Sequence, residues 1–212
     1  LGAIAEQCYR PVFRGIDEAP RARITLNVTG TLLELLDRNG HRDIIDLLRK
    51  LGKEGKIEFT GSAKYHAFLP FLEESEIERQ ISENTKTCKF FLGEGYRPKG
   101  FFPPEMGYAE NLPEILIAQG FSWCLLDEIA ISGRAGEVDY RKRYKLKDRD
   151  LFFFFRERRL SNLIMSAVVR SGATLKDAMR EELTSDRYVI TAMDGETFGH
   201  HRPGLEQLLF DT

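Results

Sequence analysis

The feature that most constrains this chain is a repeated exchange of short β-rich runs for amphipathic helical stretches. RITLNV (residues 23–28) reads as a strand and leads into TLLELLDRNG, where Asn39-Gly40 supplies a helix stop. In HRDIIDLLRKLGKEG, Ile44, Ile45, Leu47, Leu48 and Leu51 fall at helical spacing, with Gly55 just beyond. KIEFTG is a short strand, and ESEIERQISENTKTCKFFLGEG a helix with Ile77, Ile81, Cys88 and Phe91 or Leu92 inward. KGFFPPE is a strand running into a loop, NLPEILIAQG a helix with Pro113 in its first turn, and FSWCLLDE another strand. RYKLKDRDLFFFFRERR predicts a hairpin with a buried second arm. SNLIMS and ATLKDAMREEL add helix, RYVITAMDGE predicts a last strand, and a short helix is expected near Pro203.

Strands of this kind, buried and not strictly alternating, call for a parallel sheet covered by helices. Polar residues then collect in one kind of place. IEFT releases residues 61–66 with His66, GFF releases Pro103, Pro104 and Glu105, and SWCLL releases Asp127 and Glu128. LFFFF is followed by Arg156, Glu157 and Arg158, and VITAM by Asp194 and Glu196. In barrels and open α/β sheets the carboxyl ends of the strands are where ligands bind and chemistry occurs.

Composition removes several alternatives. Of 212 residues 42% are hydrophobic and 30% charged, which is globular rather than disordered. Lysine plus arginine (31) almost balances aspartate plus glutamate (33), so nothing in the charge points to nucleic acid. No apolar run reaches membrane-spanning length. Cys8, Cys88 and Cys124 are widely spaced and form no Cys-x-x-Cys pair, which argues against a disulfide framework and for a reducing, cytoplasmic setting.

Glu105 follows two prolines that stiffen its backbone, beside apolar Phe101 and Phe102. Asp194 precedes Gly195 at the end of an apolar run. Each has a plain alternative, an exposed loop carboxylate for Glu105 and a helix or turn cap for Asp194. Together, on separate strand ends of one sheet, they can face each other across a substrate, and a retaining glycosidase needs such a pair, a nucleophile and an acid/base, about 5–5.5 Å apart. His66, His200 and His201 invite a zinc site with Asp194. Adjacent histidines do not match the i, i+4 spacing of helical zinc ligands; a site from His66, one of the later pair and Asp194 stays geometrically open, but sugar hydroxyl binding by these histidines, and a structural role for at least one of them, fit better. Phe102 is a candidate platform for a sugar face, and Asp127, Arg156 and Glu196 are further substrate-binding candidates.

GFFPPEMGYAENLPEILIAQGFSWCLLDE resembles the third signature region of glycoside hydrolase family 57, the α-amylase, glucanotransferase and branching-enzyme group. TAMDGETFGHH resembles the fourth and IEFTGSAKYHAFLPFL the second, with RITLNVTGTLLELL and FRERRLSNLI in the expected order. The resemblance implies a distorted, incomplete (β/α)7 barrel and retaining chemistry on α-glucans or oligosaccharides. It implies Glu105 as nucleophile, Asp194 as acid/base and His66 as a substrate contact, with no cofactor. The family's first signature is expected before residue 1 and its fifth beyond Thr212. Residues 1–212 are therefore expected to be one partial catalytic domain lacking the first strand and a C-terminal helical region. Phe102 stands where the family often has Trp. Competing expectations are a metal-dependent deacetylase- or mannosidase-like hydrolase and a non-catalytic carbohydrate-binding relative.

Overall fold

The computed structural model describes residues 1–210. The chain opens with helix α1 (Gly2–Ile4), a π-helical turn (Ala5–Tyr9) and α2 (Arg10–Glu18). Strand β1 (Ile24–Leu26) is followed by α3 (Gly30–Arg38), α4 (Arg42–Lys53), β2 (Ile57–Gly61) and α5 (Glu74–Leu92). Then come β3 (Gly100–Phe101), α6 (Leu112–Ala118), β4 (Trp123–Asp127), β5 (Tyr144–Lys145) and β6 (Phe152–Arg156). Helices α7 (Arg158–Met165), α8 (Gly172–Ala178) and α9 (Arg180–Leu183) complete the regular elements, with 3-10 turns at Gly195–Thr197 and Leu205–Leu209. No helix among the described residues is long and apolar enough to cross a membrane.

The six strands form one sheet in the order β1-β2-β3-β4-β6-β5. Strands β1 to β4 run parallel in register, Ile24 opposite Ile57, Thr60 opposite Gly100 and Gly100 opposite Trp123. The hairpin expected near residue 150 forms, with Tyr144 opposite Phe153 in antiparallel pairing. Its second arm is less buried than expected: Leu151 and Phe155 are inside, while Phe152, Phe153 and Phe154 are half-buried. Among the described residues nothing pairs β1 with β5, so the sheet is not closed.

Two compact units emerge. One comprises Arg23–Leu126 and Tyr144–Phe154. Its core is filled from the helices by Leu33, Leu36, Ile44, Leu48, Leu51, Ile77 and Ile81, each at most 1% exposed. These are the apolar stripes read from the sequence, now buried for about 1.5–3 kcal/mol per large side chain. Thr29 caps α3 by accepting from Leu32 N–H, and buried Asn84 accepts from Gly30 N–H at 2.7 Å. Gly100 admits the Trp123 ring across the strands, since a Cβ there would meet it at 2.0 Å. A cavity of about 570 Å³ beside Gly52, Ile57, Glu58 and Arg97 lies at the amino end of β2 and includes none of the site candidates.

The other unit comprises Leu1–Ala22, Asp127–Arg143 and Phe155–Thr212. Ile164, Val169, Leu205 and Leu208 form a cluster here, flanked by Met193 and Phe198. RYVITAMDGE is not a strand. Its backbone groups bond one by one to unrelated partners: Tyr188 N–H to Tyr140 O, Ile190 O from Glu157 N–H, Ala192 N–H to Ser161 Oγ. Single bonds to a loop, a cap and a side chain satisfy the backbone without building a ladder.

Candidate active site

In the Arg23–Leu126 unit the carboxyl ends of β2 and β3 bring His66 and Glu105 together. The prolines at 103 and 104 end β3, and Met106 N–H and Gly107 N–H bond back to their carbonyls. Glu105 is thereby held at φ 56° and Met106 at φ 53°, left-handed positions that non-glycine residues rarely occupy. His66 is left-handed as well, at φ 54°. Its Nε2 lies 3.0 Å from Glu105 Oε1, and the Glu105 side chain is 73% exposed. Phe102 is half-buried, its N–H tied to Gly61 O at 2.9 Å. The Phe68 ring packs on Gly107, where a Cβ would meet it at 2.5 Å. Strain at three residues of two neighbouring loops is the pattern of a site whose geometry the surrounding structure enforces.

In the other unit, Asp127 at the end of β4 is 9% exposed and both its oxygens are occupied. Oδ2 accepts from Arg156 and Oδ1 from Arg158 and from Ile129 N–H. Arg156 also reaches Asn162 and Met165, while its Nε has no hydrogen-bond partner among the described residues. Glu128, buried, accepts from Gly136 N–H and Arg158 N–H and so anchors the loop after β4. Neither Glu128 nor Arg158 stood out in the sequence as a site residue. Their charges were visible, but their partners come from distant segments.

Asp194 is exposed, and its carboxylate makes no capping bond to the 3-10 turn that follows. The plain capping alternative therefore does not apply. Glu196 is half-buried and accepts from the Tyr9 hydroxyl. His200 Nδ1 meets Gln7 Oε1 at 2.7 Å, and His201 N–H bonds to Glu196 O. Gln7, Cys8 and Tyr9 are thus further site neighbours that the sequence did not single out. Among the described residues no three His, Cys, Asp or Glu side chains converge as a metal ion would require.

An alpha-amylase of Pyrococcus horikoshii is 25% identical over 209 residues, 97% of this chain and 32% of that protein. A 4-alpha-glucanotransferase of Thermococcus kodakarensis is 28% identical over 123 residues, 58% of this chain and 18% of that protein. The crystal structure of 4-alpha-glucanotransferase from Thermococcus litoralis shares the fold with a TM-score of 0.81 at 22% identity, covering 98% of this chain and 32% of that one. The chain thus spans a third or less of the length of these relatives. The expected mixed α/β fold of the barrel type is the fold it has. The sequence model of Glycosyl hydrolase family 57 matches residues 2–210, almost the whole chain, which therefore belongs to that family.

Proposed function

We propose that this chain carries the reacting groups of a retaining glycoside hydrolase or transglycosylase acting on α-glucans, with Glu105 as nucleophile and Asp194 as acid/base. The observation that carries the reading is Glu105 itself. It is held left-handed behind two prolines, exposed, with one oxygen engaged by His66 at 3.0 Å. Membership of a family with alpha-amylase and 4-alpha-glucanotransferase relatives supports the substrate class.

The chemistry is a double displacement. Glu105 Oε2, left free by the His66 contact, attacks the anomeric carbon and forms a glycosyl ester as the C–O bond to the leaving sugar breaks. Asp194 delivers its proton to the departing oxygen. Asp194, now a carboxylate, takes a proton from water or an acceptor hydroxyl, which displaces Glu105 and restores the starting configuration. His66 holds the nucleophile in one orientation, Phe102 offers an apolar face for a sugar ring, and His201 is exposed to meet hydroxyls. Asp127 and Arg156, paired with each other, contribute rigidity to the rim in addition to substrate contact.

The test uses the intact enzyme and its two carboxamide variants. Glu105→Gln should lower kcat on amylose by about 10³-fold or more, and Asp194→Asn by at least about 100-fold. Glu105→Gly with a glycosyl fluoride and azide should give the inverted glycosyl azide, whereas Asp194→Asn with azide should give the retained one. Normal turnover by Glu105→Gln, or an interchange of the two azide products, overturns the assignment.

A further inference from the structure

Pro11 sits inside the N-terminal helical segment, where it has no N–H to offer the carbonyl four residues back and its ring would crowd that carbonyl. The chain answers with the π-helical turn Ala5–Tyr9, closed by Arg10 N–H on Ala5 O, which widens the helix just before the proline. The consequence is a surface shaped for the segment 194–201. The Gln7 backbone carbonyl faces Gly199 so closely that a Cβ there would lie 2.0 Å from the oxygen, and Gly199 is left-handed at φ 102°. Cys8 Sγ donates to Gly195 O at 3.1 Å, the Gln7 side chain takes His200, and the Tyr9 hydroxyl donates to Glu196. Three consecutive residues of one turn therefore hold the segment at Gly195, directly after Asp194, and at Glu196, Gly199 and His200 beyond it.

The Tyr9–Glu196 bond also sorts two carboxylates that lie two residues apart. Cys8 and Tyr9 are buried, at 1% and 7% exposure, and Glu196 turns inward to them while Asp194 stays exposed. Burial first, then the Glu196 hydrogen bond and charge, push the Tyr9 hydroxyl well above its ordinary range. Tyr9 is consequently a donor at any working pH.

We propose that the π-helical turn is the positioning element of the acid/base loop, with Tyr9 a positioning residue that acts on Asp194 through Glu196. This deepens the assignment of Asp194 as acid/base and rests on it. A proton donor misplaced by about 1 Å loses on the order of 100-fold in rate. That loss matters only where the leaving group needs the proton.

The experiment compares kcat/KM, which reports the first bond cleavage, on amylose and on α-maltosyl fluoride, whose leaving group departs without protonation. Tyr9→Phe keeps the ring and its stacking on Phe13. It should lose about 10- to 100-fold on amylose and no more than about threefold on the fluoride. Glu196→Ala should copy it, and Glu196→Gln, which keeps an acceptor for Tyr9, should recover most of the amylose activity. Equal losses on both substrates, or no loss on either, overturn the positioning role. Asp194→Asn on the same pair separates the two ideas. A loss confined to amylose with Tyr9→Phe unaffected discards only the Tyr9 inference, whereas an equal loss on both substrates discards the acid/base reading and the inference with it.

Discussion

Gly199 and Gly195 lie four positions apart in one loop, yet their substitutions carry opposite expectations. Gly199 combines φ 102° with a carbonyl, Gln7 O, 2.0 Å from where a Cβ would stand. The obstacle is backbone, so no side-chain rotation relieves it. Gly199→Ala should cost at least about 2 kcal/mol in denaturant unfolding. Gly195 has ordinary φ and, among the described residues, nothing within 4 Å of its notional Cβ, so Gly195→Ala should stay within about 0.5 kcal/mol. Equal effects would show that the loop does not rest on the π-helical turn. The left-handed His66, Glu105 and Met106 carry the converse lesson. Those φ values are tolerated without glycine, and strain retained at the residues assigned to chemistry is how a loop keeps one geometry.

At the scale of elements, legibility followed punctuation. Helices α3, α4 and α6 were readable because Gly40, Gly55 and Gly120 close them in the left-handed conformation that glycine accepts without strain. The N-terminal helices carried an equally good stripe, Ala5, Cys8, Val12 and Ile16, all buried. Pro11 in its middle disguised it, because a local rule against interior proline cannot foresee a π-helical turn. The failure at residues 187–194 has a different origin. An apolar β-rich run and a strand differ only in where the hydrogen bonds go, which depends on distant chain. One of those partners is testable. Ser161 Oγ is fully buried, donates to Glu157 O at 2.6 Å and accepts from Ala192 N–H at 3.2 Å. Ser161→Ala leaves Ala192 N–H without that acceptor and should cost about 1–3 kcal/mol, with faster hydrogen exchange at Ala192. Unchanged exchange there would mean that the segment is held by other bonds. The site candidates divided in the same way. Glu105, Asp127 and Glu128 do lie at or just after strand ends, as position alone indicated, whereas Asp194 follows a segment that is not a strand, and the pairing of Tyr9 with Glu196 joins residues far apart in sequence.

Across the whole molecule the three cysteines make stability depend on alkaline pH. No disulfide was expected from their spacing, and all three are free and buried, at 1% exposure or less. Burial, with Glu196 and Glu206 adding to it, pushes the Cys8 thiol from its ordinary 9.0 to about 12. Burial moves Cys88 to about 12, opposed in part by a hydrogen bond with Tyr96, and raises Cys124 further. In the unfolded chain the same thiols ionise near 9.0. Above that pH the unfolded state binds fewer protons than the folded state, so rising pH favours unfolding. The stability these thiols contribute is complete below 9.0 and is lost progressively toward about 12. Each ionising thiol adds a slope of up to about 1.4 kcal/mol per pH unit. Denaturant unfolding followed between about pH 8 and 10.5 should therefore show a plateau and then a steep decline. Cys88→Ala should flatten that decline by its own share while lowering the plateau through the small cavity it leaves. A stability independent of pH across this range would mean that the thiols ionise as readily in the folded protein as in the open chain. Iodoacetamide gives an independent reading, because it reacts only with thiolate: modification before unfolding would contradict the burial from which the decline is argued.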